Sequence, residues 1–166
     1  MERILKLFEQ WCKSNNWVIE RKVTSANFPE SITQRYPMAT KSDHLKFMNY
    51  FEKCLSDNMQ SWFLCEHEYN KESTETEFGW NDMELMGLAA TVDDEEEHES
   101  IKSWWDKYIP ILFSTRDGYS HFSMSLQENS FGQIVEGYEP MFEDVLVVAD
   151  SLSEFLEKIM NKEIVF

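Results

Sequence analysis

The sequence predicts a single α+β domain, a mostly antiparallel sheet with amphipathic helices packed on it. Three observations carry that reading. Residues 109–138 have the pattern of a β-meander: Ile109-Pro110-Ile111-Leu112-Phe113-Ser114 is an apolar run of strand length, Asp117-Gly118 supplies a turn, and 119–126 then alternates, with Phe122, Met124 and Leu126 on one face. A second turn, Asn129-Ser130-Phe131-Gly132, leads into a third strand over 133–138. Each predicted helix carries one apolar stripe, the mark of a helix lying on a sheet rather than inside a bundle. The chain has 166 residues, 42% hydrophobic and 14% aromatic, enough for a full core without metal or disulfide staples.

Taken in order, Ile4, Leu7, Phe8 and Trp11 define one helical face that ends near Ser14-Asn15-Asn16. Trp17-Val18-Ile19 is a short strand candidate. Residues 24–37 are polar and hold Pro29 and Pro37, which reads as a connection. Thr40-Lys41-Ser42-Asp43 resembles a capping box, from which Phe47, Met48, Phe51 and Leu55 extend a helical stripe to about Ser56. Residues 61–66 read as a strand with Trp62 and Leu64 on one side, and 69–77 as an exposed loop or hairpin tip. Trp80-Asn81-Asp82 caps a short helix through Ala90.

The acidic run 93–99 opens the next helix, where negative charge complements the macrodipole. Its stripe, Ile101, Trp104, Trp105 and Tyr108, is expected to be buried against a sheet containing Phe122, Met124 and Leu126. Residues 145–149 add an edge strand. Ser151-Leu152-Ser153-Glu154 is an S-x-x-E capping box for a last helix with Leu152, Phe155, Leu156 and Ile159 on one face.

Charge narrows the partners. With 15 basic and 31 acidic residues the formal net charge is −16. Phosphates would be repelled, which argues against nucleic acid, and an anionic membrane surface would be repelled likewise. A basic protein would be attracted and steered in. Three cysteines, Cys12, Cys54 and Cys65, show no CxxC or finger spacing and read as reduced thiols of a cytoplasmic protein. The start of the chain lacks the uninterrupted apolar core of a signal peptide, and no stretch approaches a transmembrane length.

Chemistry is sparse. HExxH, GxSxG, Walker and GxGxxG patterns are absent from the sequence. Asp117, Ser120 and His121 suggest a triad, but neighbouring strand residues point to opposite faces. Glu95, His98 and Glu99 share a helical face, a grouping that any acidic run produces. Cys65 and His67 share a strand face without an oxyanion signature. No catalytic residue, metal or cofactor is expected.

The order of these motifs resembles the SUKH superfamily, which joins fungal cell-wall-assembly regulators of the SMI/KNR type to many bacterial immunity proteins. The residues that carry the resemblance are Trp105 followed by Ile109-Pro110-Ile111, then Asp117-Gly118-Tyr119, Met124-Ser125-Leu126, Gly132-Gln133-Ile134-Val135, and Val148-Ala149-Asp150-Ser151-Leu152 through Phe155-Leu156. It is best over 104–159, with 1–27 as an N-terminal helical extension. Phe28-Pro29 and a helix over 42–55 stand where the family has its entry segment and first core helix. Ser56-Asp57-Asn58 replaces the family's usual Asn-Gly.

The resemblance implies a non-enzymatic protein-interaction domain, in bacteria an immunity protein that neutralises a cognate toxin, many of which are nucleases. The alternative it implies is a regulatory or scaffold domain binding a cellular partner. For a basic toxin domain the candidate contact residues are Asp93, Asp94, Glu95, Glu96, Glu97 and Glu99 in the acidic run, with Glu136, Glu139, Glu143 and Asp144 further on.

Overall fold

The computed structural model describes residues 1–71, 76 and 78–165. Among them, seven strands form one antiparallel sheet whose spatial order is the chain order: β1 (Val18–Arg21), β2 (Phe51–Leu55), β3 (Ser61–Phe63), β4 (Tyr108–Ser114), β5 (Ser120–Ser125), β6 (Ile134–Tyr138) and β7 (Met141–Ala149). The predicted meander is therefore the central part of a longer one. Seven helices accompany it: α1 (Glu2–Ser14), α2 (Glu30–Arg35), α3 (Asp43–Met48), α4 (Glu66–Tyr69), α5 (Asp82–Ala90), α6 (Glu95–Trp105) and α7 (Leu152–Met160).

Helices cover both faces of the sheet. Two rows of side chains run across the strands and show how. One row contains Phe63, Leu112, Phe122, Glu136 and Leu146. Phe155 of α7 packs on Phe122 and Phe63, while Phe8 of α1 and Phe47 of α3 pack on Phe63. The adjacent row, Trp62, Phe113, His121 and Gly137, faces the other way and meets Trp105 of α6 through His121. All six residues of β5 are buried. The polar members Ser123 and Ser125 thus lie under the α6 layer rather than in solvent, because the second helical layer covers what the alternation reads as an outer face.

That layer takes up the tryptophan stripe. Trp105 and Ile101 are buried and Trp104 is half-buried, against the predicted sheet but on the His121 face, opposite Phe122 and Met124. The expected burial against this sheet holds for Ile101 and Trp105. Tyr108 belongs to β4, where Trp104 stacks on its ring at 4.3 Å.

The stretch 42–56 is a further correction. Its apolar positions fit a continuous helix, but α3 ends at Met48 and Phe51 begins β2. Asn49 forms the break: its amide donates to Leu45 O and Ala26 O, and its carbonyl oxygen accepts from Ala26 N. These bonds anchor the chain reversal to a distant segment, a tertiary constraint that overrides local periodicity. Ser42, not Thr40, caps α3, its hydroxyl accepting from Leu45 N. The predicted connection over 24–37 contains α2, entered from Pro29. Beyond β3, Glu66 starts α4 instead of ending a strand, and Tyr69 is buried with its hydroxyl donating to Pro110 O. The rest of that predicted loop, 72–75 and 77, lies outside the described residues.

Residues 1–27 supply α1, whose Phe8 is fully buried, and the edge strand β1. At the last helix the Ser151 cap is as read, while the reciprocal bond of the box is shifted by one residue, to Asp150 N instead of Ser151 N. Ser151 Oγ accepts from Glu154 N, and the Glu154 carboxylate accepts from Asp150 N. Gly137 is required by close approach: a Cβ there would lie 2.2 Å from Phe142 O and 2.5 Å from His121 Nε2.

Candidate protein-interaction site

The two acidic segments singled out in the sequence meet in space. A groove of about 570 Å³ opens between α5, the start of α6 and the first half of β7. Five carboxylates line it: Asp93, Asp94 and Glu97 from one wall, Glu143 and Asp144 from the other. Gly87 and Ile101 contribute its apolar part. None of its lining residues is basic, and among the described residues none of the five carboxylates forms an ion pair.

Helix phase sorts the acidic run. Asp93, Asp94, Glu97 and Ile101 fall on one side of α6 and face the groove, whereas Glu95, Glu96 and Glu99 do not line it. Glu99 is held by Lys102 at 2.9 Å. Asp94 has a structural duty as well, since its carboxylate accepts from Glu97 N at 3.0 Å and caps the helix. Glu136 sits on β6 on the opposite face of the sheet, in the row of Phe122. Glu139 lies at the β6–β7 turn beside Gly118.

Glu143 is the half-buried member of the cluster. It accepts the indole N–H of Trp105 at 2.6 Å. Burial raises its pKa above the ordinary carboxylate value, the Trp105 bond opposes that, and the nearby charges of Glu97 and Glu84 add to it. Glu84 is itself buried and held by two bonds of 2.7 Å from the Arg35 guanidinium, which ties α2 to the wall of the groove formed by α5.

The groups weighed for catalysis are placed poorly for it. His121 bonds to Ser123 Oγ at 2.8 Å and Phe142 O at 2.9 Å, all within the core, and not to Ser120. Burial lowers its pKa to about 4. Cys65 is buried and its thiol pKa is raised well above normal, so it is poor in thiolate. His67 turns instead to Glu52 at 2.7 Å. Cys12, Cys54 and Cys65 are all free buried thiols. Among the described residues no set of three His, Cys, Asp or Glu is placed to hold a metal ion, and no helix is long and apolar enough to cross a membrane.

At the outer rim of the sheet, sequence reasoning placed the edge strand but not the exposure of its apolar side chains. Tyr138, Met141, Leu146 and Val147 are exposed apolar residues clustered on β6 and β7. The expected edge strand over 145–149 is the second half of β7, which ends the sheet.

Fold and groove together define an α+β protein built on a seven-stranded antiparallel meander, helices on both faces, with an acidic cleft at one end of the last strand. No protein-family model matches the chain, and neither curated proteins nor solved structures give a match.

Proposed function

We propose that this protein is a non-enzymatic, SUKH-type interaction domain that acts as an immunity protein, binding a basic toxin domain through its acidic groove. One observation carries the reading: carboxylates about 50 residues apart in sequence converge on one cleft with no cation among its lining residues. Clustering five such charges raises the local negative potential, a cost to the free protein that a cationic partner relieves. A nuclease toxin, whose substrate cleft is itself cationic, is the partner class that such a surface fits best. The order of motifs along 104–159 supports the same reading, as does the net charge of −16.

The test is neutralisation. Co-expression with the toxin domain encoded beside it should restore growth, and the purified pair should form a complex whose association slows as salt is raised. Loss of rescue on Asp93→Asn with Glu97→Gln, in a protein that still folds, is the expected signature. A toxin neutralised equally well by that double variant would move the interface away from the groove. Failure to rescue from any neighbouring toxin would remove the immunity reading.

A further inference from the structure

The two edges of the sheet are treated differently. β1 is four residues long, breaks register between Glu20 and Arg21, and has its charges tied up, Arg21 to Glu9 and Glu20 to Lys53. That is a guarded edge. β7 is nine residues long, and its second half carries no charge. Leu146 is 69% exposed and Val147 58% exposed. They belong to opposite faces of the sheet, Leu146 in line with Phe122 and Val147 in line with Ser123. The sheet therefore ends in an apolar lip that is open on both faces, with a hydrogen-bonded neighbour, β6, on one side only.

We propose that β7 is a docking strand: an extended, basic segment of a partner protein adds to it as an eighth strand, with its apolar side chains on the face of Leu146 and its basic ones on the face of Val147, towards the groove. Backbone pairing to an open edge gives affinity, and alternate side chains give selectivity. Charge chooses the occupant. Glu143 and Asp144 stand on the same strand, Glu136 on its neighbour and Asp150 just beyond its end. Lys158, which reaches this strand from α7, is already engaged by Val148 O at 2.8 Å and Glu154 at 2.9 Å. A second copy pairing edge to edge would bring two chains of net charge −16 together along a carboxylate-bearing strand. A segment alternating apolar and basic residues meets neither obstacle, and its cations reach the groove that begins at Met141. This inference deepens the reading of the groove as the seat of a basic partner.

The test uses a synthetic nine-residue peptide alternating valine with lysine, with blocked ends. Its controls are the same peptide with glutamate for lysine and a version N-methylated at every amide, which has no N–H left to donate to a neighbouring strand on either edge. Hydrogen exchange of the full chain should slow at residues 141–149 with the lysine peptide and with neither control. Leu146→Lys and Val147→Lys, at exposed positions that leave the fold intact by circular dichroism, should each weaken binding by about tenfold or more. Protection elsewhere, or equal binding of either control, overturns the docking strand. So does a concentration-dependent dimer that protects 141–149 without peptide, which would make a second copy the occupant. These outcomes are separable from the immunity reading, because a chain that rescues from a toxin while β7 stays unprotected keeps that function and loses this mode. A chain that binds the peptide yet rescues from no toxin does the reverse.

Discussion

Trp105 and Glu143 meet at 2.6 Å, the indole N–H donating to a carboxylate that also lines the acidic groove. A core side chain and a candidate contact residue are thus one unit. The geometry couples the charge of the groove to the packing of α6 on the sheet.

This pair separates two kinds of substitution. Glu143→Gln keeps an oxygen acceptor for Trp105 and removes a charge that burial disfavours. Its unfolding midpoint in urea at pH 7 should equal or exceed that of the natural protein. Glu143→Ala leaves the indole N–H without its acceptor, at a cost of about 1–3 kcal/mol. The pH dependence has a definite sign. Glu143 titrates higher in the folded state than in the unfolded, so its penalty is full above the folded pKa. It is relieved as pH falls through that value towards the ordinary glutamate range. Glu143→Gln should remove that component.

Acid should nevertheless weaken the protein, through two histidines. His44 is fully buried between Phe47 and Tyr69, and among the described residues its ring nitrogens make no well-formed hydrogen bond, only a weak one with the Leu64 backbone. Burial lowers its pKa to about 3, and that of His121 to about 4. Both values lie below the unfolded one, so each histidine takes up a proton on unfolding once pH drops below about 6.5. The stability each contributes is complete above that pH and lost as pH falls towards the folded pKa. The loss approaches about 1.4 kcal/mol per pH unit for each. His44→Leu discards a buried, weakly partnered polar ring. Urea titrations should find it unchanged to about 2 kcal/mol more stable at pH 7. At pH 5 its advantage should be larger.

The acidic run also divides. Asp93→Asn and Glu97→Gln alter side chains that face the groove without capping α6. They should leave the thermal midpoint nearly unchanged while slowing association with a basic partner, most strongly at low salt. Asp94→Lys removes the cap as well as the charge and should cost about 0.5–2 kcal/mol, whereas Asp94→Asn retains the cap. Charge-reversal sets that include Asp94 would mix folding with binding. Calorimetry beside stopped-flow association distinguishes the two.

How far the sequence could be read follows the range of the contacts involved. Strand alternation in 119–126 and the serine cap of the S-x-x-E sequence at Ser151 are local signals, and they hold. The 42–56 stretch fails because Asn49 is fixed by Ala26, more than twenty residues away. The tryptophan stripe gives burial but not face, since Ile101, Trp104 and Trp105 look the same on either side of a sheet that has two helical layers. At the site, the spacing of Asp93, Asp94, Glu97 and Ile101 already marks one helical face. Their meeting with Glu143 and Asp144 depends on where β7 runs, which is a tertiary fact. Leu146 and Val147 read as strand residues; only the strand order makes them a lip.

Arg35 and Glu84 offer the last test, because they hold the wall of the groove from behind. The guanidinium makes two bonds of 2.7 Å to Glu84 and a third, of 2.8 Å, to Asp106. The Glu84 side chain is only 5% exposed. Arg35→Met strands that carboxylate and should cost about 3–5 kcal/mol. It should also raise the pKa of Glu143 further, since Glu84 already pushes that group up and would lose its counter-charge. Replacing both partners, Arg35→Met with Glu84→Leu, removes the stranded charge and should recover most of the loss. The double variant keeps all five groove carboxylates, so its association with a basic partner should match that of the natural protein. Urea unfolding of the two single variants and the double, read beside association rates, checks both halves. A double variant as unstable as Arg35→Met would show that the Arg35 bond to Asp106, and not the buried pair, holds α2 in place.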